Sequence, residues 1–411
     1  MKRLIALFAA VTAIGGSAAA VISRKNADVP PEYSKTVPYE HEEGAPKPLD
    51  AEKPQAAVGT GFAYELDAYM PRDKNYMFSP LSVKMALALA ANGAEAETKE
   101  NMLEMLGIDD LDAFDEYAKK LIADAAKSDK VELSIADSIW LNEERLPGAK
   151  FSPDFEAKAK EFFAAEAKTV GYDNAVDEIN GWCSDKTKGK IQKMIDDPDF
   201  LAALINAVYF KGDWAAQFDK DLTREQTFTD RNGNKKETEF MHKTDSFKFY
   251  EDKDVKILRM PYADGKTAMY IALSGDKKIN FGDYEDKMST CEVKVALPKF
   301  KTEFSCELND ALSQMGAEKA FDKEFAEFKP MFANFPDDQN FYIDKVLHKT
   351  YIDVGESGTE AAAVTVVQMR NCTTSVEPAR QIKEFTADKP FSYAIMDTET
   401  NEILFMGEYA Y

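Results

Sequence analysis

One segment near the end of the chain constrains the fold more than any other. Residues 356–375 lie between an apolar strand at 351–354 and a terminal hairpin, and they contain neither a helix stop nor a hairpin turn. Within them, residues 361–369 are uncharged, lack glycine and proline, and are rich in β-branched side chains, which is the composition of a strand. A structureless loop of this length in a compact domain is usually functional. The segment is therefore either a plain buried strand or short alanine-rich helix, or a latent strand held as an exposed loop.

The two-residue period of a strand divides this segment into two unlike faces. A proline would break a ladder hydrogen bond and a charge on the inward face would be buried unpaired. One face contains neither, so its insertion into a sheet is permitted. Its residues are Thr359, Ala361, Ala363, Thr365, Val367 and Met369.

Composition and motifs exclude several classes of function. With 73 acidic and 51 basic residues the formal net charge is −22, which excludes general nucleic-acid binding. The four cysteines form no CxxC pair, and His41, His242 and His348 lie far apart, so we expect no metal and no cofactor. Known hydrolase and nucleotide motifs are missing, and the chain is not expected to be an enzyme.

The amino-terminal region predicts export. Residues 1–20 have a basic start, a short apolar run and small residues, the pattern of a signal peptide cleaved near Ala20. Residues 21–55 are rich in proline and charge and predict a flexible tether. Residues 56–411 show no further break and predict a single domain. We expect the mature protein to be secreted or, in a bacterium, periplasmic or extracellular.

Periodicity in this domain predicts helices first and strands later. Ser79 and Pro80 predict a helix start and Gly93 its end, and further helices are expected at 98–106 and 111–126. Strand patterns follow at 131–136, 207–210 and 293–304, and the final hairpin pairs 391–396 with 403–406. The predicted class is α+β, with large mixed or antiparallel sheets.

Short motifs follow one another along the domain in a characteristic order. They are NYMFSPLS at 75–82, INGW at 179–182, TKGKI at 187–191, NAVYFKGDW at 206–214, LPKF at 297–300, GTEAAA at 358–363 and LFMG at 404–407. Together they resemble the serpin family over essentially all of residues 56–411.

The resemblance implies a serpin fold with three β-sheets, eight or nine helices and an exposed reactive-centre loop. It implies a suicide inhibitor that traps a serine or cysteine endopeptidase as a covalent acyl-enzyme, by inserting its cleaved loop into the main β-sheet. The alternative is a non-inhibitory serpin that acts as a carrier, storage or binding protein. The charge mixture at 109–130 argues against a heparin-type polysaccharide, and we expect a monomer.

The resemblance also assigns roles to individual residues. Family spacing from Glu356 places the reactive bond between Cys372 and Thr373, which suits an elastase-like protease, whereas cleavage between Arg370 and Asn371 would suit a trypsin-like one. Both bonds remain open, with the elastase-like target favoured. The loop hinge comprises Glu356, Gly358, Thr359, Glu360, Ala361, Ala362 and Ala363. The sheet-opening cluster comprises Ser79, Ser82, Asn206 and His348, with Trp214 near the end of the same sheet where the loop inserts.

Overall fold

The computed structural model describes residues 61–125, 127–128, 130–335, 340–359 and 382–410, all within one compact unit, Gln55–Tyr411. Its helices are α1 (Gly61–Asp67), α2 (Pro80–Asn92), α3 (Ala96–Leu106), α4 (Leu111–Ala125), α5 (Pro153–Phe163), α6 (Ala175–Lys186) and α7 (Asn309–Leu312), which continues as a π-helical turn at Ser313–Ala317. Its strands are β1 (Tyr76–Phe78), β2 (Val131–Asn142), β3 (Lys150–Phe151), β4 (Glu166–Val170), β5 (Ala202–Asp213), β6 (Arg224–Thr229), β7 (Lys235–Glu251), β8 (Lys256–Pro261), β9 (Thr267–Leu273), β10 (Ser289–Pro298), β11 (Phe300–Glu307), β12 (Phe332–Asn334), β13 (Lys345–Gly355), β14 (Gly358–Thr359), β15 (Lys383–Thr386), β16 (Phe391–Asp397) and β17 (Ile403–Tyr409).

Capping residues set the ends of the early helices, as predicted. The Ser79 side chain accepts a hydrogen bond from the backbone N–H of Ser82, and Pro80 occupies the first turn of α2. Helix α3 ends at Gly107, which adopts the left-handed conformation of a C-cap. The predicted helix boundaries are correct to within two residues, because these signals act over a single turn.

The strands form three sheets, and the predicted α+β class is confirmed. The largest sheet has the order β1-β17-β16-β9-β8-β7-β10-β15, with β6 also paired to β7. A six-stranded sheet has the order β11-β13-β14-β5-β2-β4, and β13 also pairs directly with β5. Strands β3 and β12 form a small third sheet.

The strand pattern at 293–304 belongs to two sheets. Strand β10 ends at Pro298 in the nine-stranded sheet, and β11 begins at Phe300 in the six-stranded sheet. Between them the backbone N–H of Lys299 donates to the Glu239 carbonyl oxygen at 2.8 Å. Periodicity describes which side chains are buried but not which strand lies alongside, so the sequence predicted the alternation and missed the crossing.

Helices pack on both faces of the six-stranded sheet. Helix α2 packs beneath it, and eleven of its 13 residues are buried. Helix α6 covers the outer face, where Trp182 meets Trp140 of β2 edge-to-face at 6.3 Å between ring centroids. The outer face stays exposed at Lys301, Glu303 and Ser305 of β11, so a strand added between β5 and β13 would be buried on its inner face and covered only in part on its outer face.

The terminal hairpin is confirmed, with β16 and β17 paired from Phe391 opposite Tyr409 onwards and β17 buried throughout. None of the helices in the described ranges is long and apolar enough to cross a membrane. The predicted signal peptide at 1–20 and tether at 21–55 lie outside the described residues.

Replacing Gly407 by alanine should destabilise the protein. A Cβ atom there would lie 2.2 Å from the Tyr76 carbonyl oxygen and 2.9 Å from Met77 Cα, so β1 would have to shift away from β17. Overpacking of this kind costs about 1–3 kcal/mol, and we expect a lower midpoint of thermal unfolding by circular dichroism.

The matched control is Gly181→Ala. Gly181 lies within α6, and a Cβ atom there would meet no heavy atom within 4 Å. Alanine favours a helix interior over glycine by about 1 kcal/mol, so this variant should be as stable as the parent or more so. If both variants lost stability equally, the close approach of β1 and β17 would not be the cause.

Candidate functional site

The functional geometry centres on the boundary between β5 and β13. The two strands lie side by side in parallel over residues 345–351 of β13. Beyond that point they part, and β14 occupies the space between them. Thr359 of β14 pairs with Gly212 of β5 on one side and with Val354 of β13 on the other. The sheet is thus closed at one end and separated by the start of the loop at the other.

Glu356 anchors the segment that leads into β14. Its carboxylate lies 3.2 Å from the Lys299 ammonium and accepts a hydrogen bond from the Thr223 hydroxyl at 3.0 Å. Its carbonyl oxygen accepts from the backbone N–H of Phe218 at 2.8 Å. Partial burial would raise the pKa of Glu356, but hydrogen bonds from its own backbone N–H, Thr223 and Lys299 lower it on balance. The carboxylate therefore remains ionised beside its partners.

Trp214 holds the same segment from the end of β5. Its indole N–H donates to the Gly355 carbonyl oxygen at 2.9 Å, and its backbone N–H donates to the Ser357 carbonyl oxygen at 3.0 Å. The indole also stacks on the ring of Tyr262, at 4.6 Å between centroids. Trp214 therefore lies where the loop meets the sheet.

Gly358 allows β14 to fit between its neighbours. A Cβ atom there would lie 2.1 Å from the Gly212 carbonyl oxygen and 2.7 Å from Asp213 Cα, and its φ of +155° disfavours other residues. Only glycine can occupy this rung without moving the β5 backbone.

Four of the predicted residues meet beneath the closed end of the boundary. The backbone N–H of Ser79 donates to His348 Nε2 at 3.1 Å, so the proton of the neutral imidazole is on Nδ1 and points to the Asn206 side-chain oxygen. The Asn206 amide donates to the hydroxyl and carbonyl oxygens of Ser82. Trp214 is separate from this group, roughly 26 Å from Asn206 along β5.

Asp137 is a fifth member of this cluster that sequence reasoning missed. It lies opposite Asn206 in the register of β2 and β5, and its Oδ1 accepts a hydrogen bond from the Asn206 amide. Its other oxygen, Oδ2, is buried and has no hydrogen-bond partner within the described part of the chain. The predicted strand at 131–136 stopped one residue short, and its continuation to Asn142 was the signal that could have found Asp137.

Burial shifts both titratable groups of the cluster towards their neutral forms. It lowers the pKa of His348 to about 3, although the contact with Asn206 opposes the shift. It raises the pKa of Asp137 to about 7, again opposed by Asn206. His348 is neutral, buried and hydrogen-bonded through both ring nitrogens, so it orders the strands and is not placed for catalysis.

Several predicted site residues lie outside the described ranges. These are the hinge residues Glu360, Ala361, Ala362 and Ala363, and the residues of the two candidate bonds, Arg370, Asn371, Cys372 and Thr373. Within the described ranges no group of three or more histidine, cysteine, aspartate or glutamate side chains is arranged to hold a metal ion.

These features define a class of protein in which two parallel strands of a sheet part at one end. The chain that leads into the loop forms a short strand between them. A family model described as serpin (serine protease inhibitor) matches residues 58–411. The chain belongs to the serpin family, and both the resemblance and the expected fold are confirmed.

Relatives and solved structures agree with this assignment. An uncharacterised serpin-like protein of Thermococcus kodakarensis is 33% identical, over 87% of this chain and 85% of the relative. The leukocyte elastase inhibitor of Xenopus laevis is 31% identical, over 82% of this chain and 93% of the relative. The native-state structure of the thermophilic serpin tengpin has a TM-score of 0.75 at 31% identity, covering 85% of this chain and 92% of tengpin. Human thyroxine-binding globulin shares the fold, with a TM-score of 0.73 at 24% identity, over 84% of this chain and 95% of the globulin.

Replacing Asp137 by asparagine should stabilise the protein most above neutral pH. The native pKa of about 7 exceeds the unfolded value of about 3.9. Between these values the native protein binds more protons than the unfolded chain, so native stability falls as the pH rises, and the loss is complete above pH 7. Each pH unit in that interval is worth about 1.4 kcal/mol, so the gain at about pH 8 is on the order of a few kcal/mol.

The measurement is the midpoint of thermal unfolding at about pH 8, 6.5 and 5. The advantage of the Asp137→Asn variant should shrink steadily as the pH falls, while His348 remains neutral throughout. Asp254→Asn removes an aspartate from an exposed turn and serves as the control. An equal shift at all three pH values would contradict the buried-charge explanation.

Proposed function

We propose that this protein is an exported suicide inhibitor of a serine or cysteine endopeptidase, which it traps by inserting its cleaved loop between β5 and β13. The observation that carries the proposal is the position of β14. Its two residues already form ladder pairs with both strands. The first rungs of an inserted strand are therefore present before any cleavage.

The register of β14 predicts how far an inserted strand would extend along β5. Thr359 lies opposite Gly212 in an antiparallel arrangement. Continued residue by residue, the same register would place Met369 opposite Ala202, the first residue of β5. The uncharged segment 361–369 would fill the ladder, and Arg370 would fall just beyond it. The stretch without charge or proline thus has the length that the sheet can accept.

The same register would bring Thr365 between Asn206 and His348. Pairing with β5 and pairing with β13 each lead independently to this position, because the three strands would share one row of the sheet. Thr365 lies on the same face of the strand as Thr359. On insertion, its hydroxyl would lie between Asn206 and His348 and would take the place of each residue as the hydrogen-bond partner of the other. Insertion would therefore exchange a hydrogen bond in the cluster rather than leave its partners unsatisfied.

The chemistry of trapping follows from the proposed bond. The protease nucleophile would attack the Cys372 carbonyl carbon, form an ester or thioester there, and release a new amino terminus at Thr373. Insertion of residues 360–369, at roughly 3.3 Å each, would carry the protease about 33 Å. The protease is trapped if this movement outpaces hydrolysis of the acyl bond.

Two features support an elastase-like target. Cys372 is small and suits a shallow apolar specificity pocket. A relative at 31% identity is named a leukocyte elastase inhibitor. Cleavage after Arg370 would leave the acyl bond one residue beyond the final rung, where the protease would meet the edge of the sheet before insertion is complete.

Export rests on residues 1–20, which have the pattern of a signal peptide. The formal net charge of −22 supports a protein that works without a polyanionic cofactor.

An elastase-like protease should form an adduct with this protein that survives denaturing gel electrophoresis. A single cut between residues 370 and 375 should raise the thermal unfolding midpoint sharply, because insertion completes the six-stranded sheet. The control is Thr359→Arg, which introduces a charge at a fully buried position. That variant should be cleaved at the same bond but release active protease. Cleavage of the parent without adduct or stabilisation would support the carrier alternative instead.

Mass spectrometry of the released carboxy-terminal peptide should identify the reactive bond. Stable adducts are expected to release a peptide that begins at Thr373, whereas trypsin-like enzymes should cut after Arg370 and turn over. Cys372→Ala should retain inhibition of elastase-like enzymes, because alanine also suits a shallow pocket. A peptide that begins at Asn371 in stable adducts would overturn the assignment.

A further inference from the structure

Thr359 forms a hydrogen bond that links the two large sheets. Its hydroxyl lies 2.7 Å from the hydroxyl of Tyr262, and both side chains are fully buried. Tyr262 follows the last residue of β8, and its backbone N–H donates to the Thr267 carbonyl oxygen, so it belongs to the nine-stranded sheet. The first inserted side chain is thus held from outside its own sheet.

The Tyr262 ring is fixed on several sides. Trp214 stacks on it with an angle of 14° between the planes, and Phe210 packs edge-on with centroids 5.1 Å apart. A Cβ atom on Gly212 would lie 2.8 Å from this ring, so the missing side chain makes room for it. The Tyr262 hydroxyl therefore has one position available, directly beneath Thr359.

We propose that Tyr262 is a positioning residue for loop insertion, because its hydroxyl holds Thr359 in the first rung of the strand that the cleaved loop completes. The inference rests on the proposed function and adds a residue to it. Strand β14 has only two residues, and the bond to Tyr262 adds a side-chain anchor to its ladder pairs with β5 and β13.

Holding this rung in advance should speed insertion. The first residues of a strand that adds to a sheet lose backbone entropy before they form many ladder hydrogen bonds. Later residues then join at lower entropic cost. With Thr359 already in place, this initial cost is met before the protease attacks. Loss of the bond would slow insertion relative to hydrolysis of the acyl bond, and more inhibitor would be consumed as substrate.

The two hydroxyls can be tested as a pair. Tyr262→Phe keeps the ring and its stacking but leaves the Thr359 hydroxyl buried without this partner. Thr359→Val keeps the branched shape of the side chain but removes its hydroxyl, so the Tyr262 hydroxyl loses this hydrogen-bond partner. The double variant lacks the same single bond, so its effect should be no larger than that of one single variant. Thr359→Ser retains a hydroxyl and should behave like the parent.

The first measurement is hydrogen exchange of the intact protein, followed by mass spectrometry of peptides that cover residues 354–359. Each single variant should exchange the Gly358 and Thr359 amides about tenfold faster than the parent. The double variant should exchange them about as fast as a single variant, because the same bond is lost. Tyr393→Phe, which removes another buried tyrosine hydroxyl, should leave this exchange unchanged.

The second measurement is the number of inhibitor molecules consumed per protease trapped, with pancreatic elastase as the probe. This stoichiometry should rise by a similar amount in each single variant and in the double variant, and it should stay near the parent value in Thr359→Ser. Unchanged exchange in Tyr262→Phe would overturn the inference, as would additive effects of the two substitutions. If the parent traps no protease, the proposed function fails, whereas the exchange measurement still tests whether Tyr262 holds Thr359.

Discussion

The pairing of β5 with β13 is the interaction on which the rest of the structure depends. The strands are in contact over residues 345–351 of β13, where the side chains of Asn206 and His348 also join them. Further along, the two residues of β14 pair with both strands. Within the described residues, β5 and β13 therefore pair with each other at one end and with the start of β14 at the other. Under the proposed function, this arrangement would give the native and inserted states different free energies.

Asp137 adds a second cost to the native state. Its neighbours in the cluster are an amide, hydroxyls and a neutral imidazole, so no cation compensates its charge when it ionises. Asp137 lies on β2, which pairs with β5 and would stay beside it if insertion opened the boundary between β5 and β13. Asn206 would then exchange its bond to His348 and keep its bond to Asp137. Opening therefore alters one side of Asn206 and leaves its buried acidic partner in place.

Local signals in the sequence predicted the parts of the fold that depend on neighbouring residues. The cap at Ser79, the stop at Gly107 and the terminal hairpin each act within a few positions, and each was predicted close to its observed place. The cluster residues and Trp214 came from the family resemblance rather than from periodicity. Asp137 and Tyr262 were missed because their partners are 69 and 97 residues away, and no local pattern reports a register between distant strands.

The anchoring of the loop start explains why its length matters. Glu356 is held by Lys299, which lies at the crossing between the two large sheets, and Thr359 is held by Tyr262. Gly358 fits one rung and tolerates no displacement towards β5. The start of the inserted strand is therefore fixed to the body of the protein before cleavage. Under the proposed function, the displacement of a trapped protease would be set by the number of residues after Thr359 that enter the sheet, at about 3.3 Å for each residue.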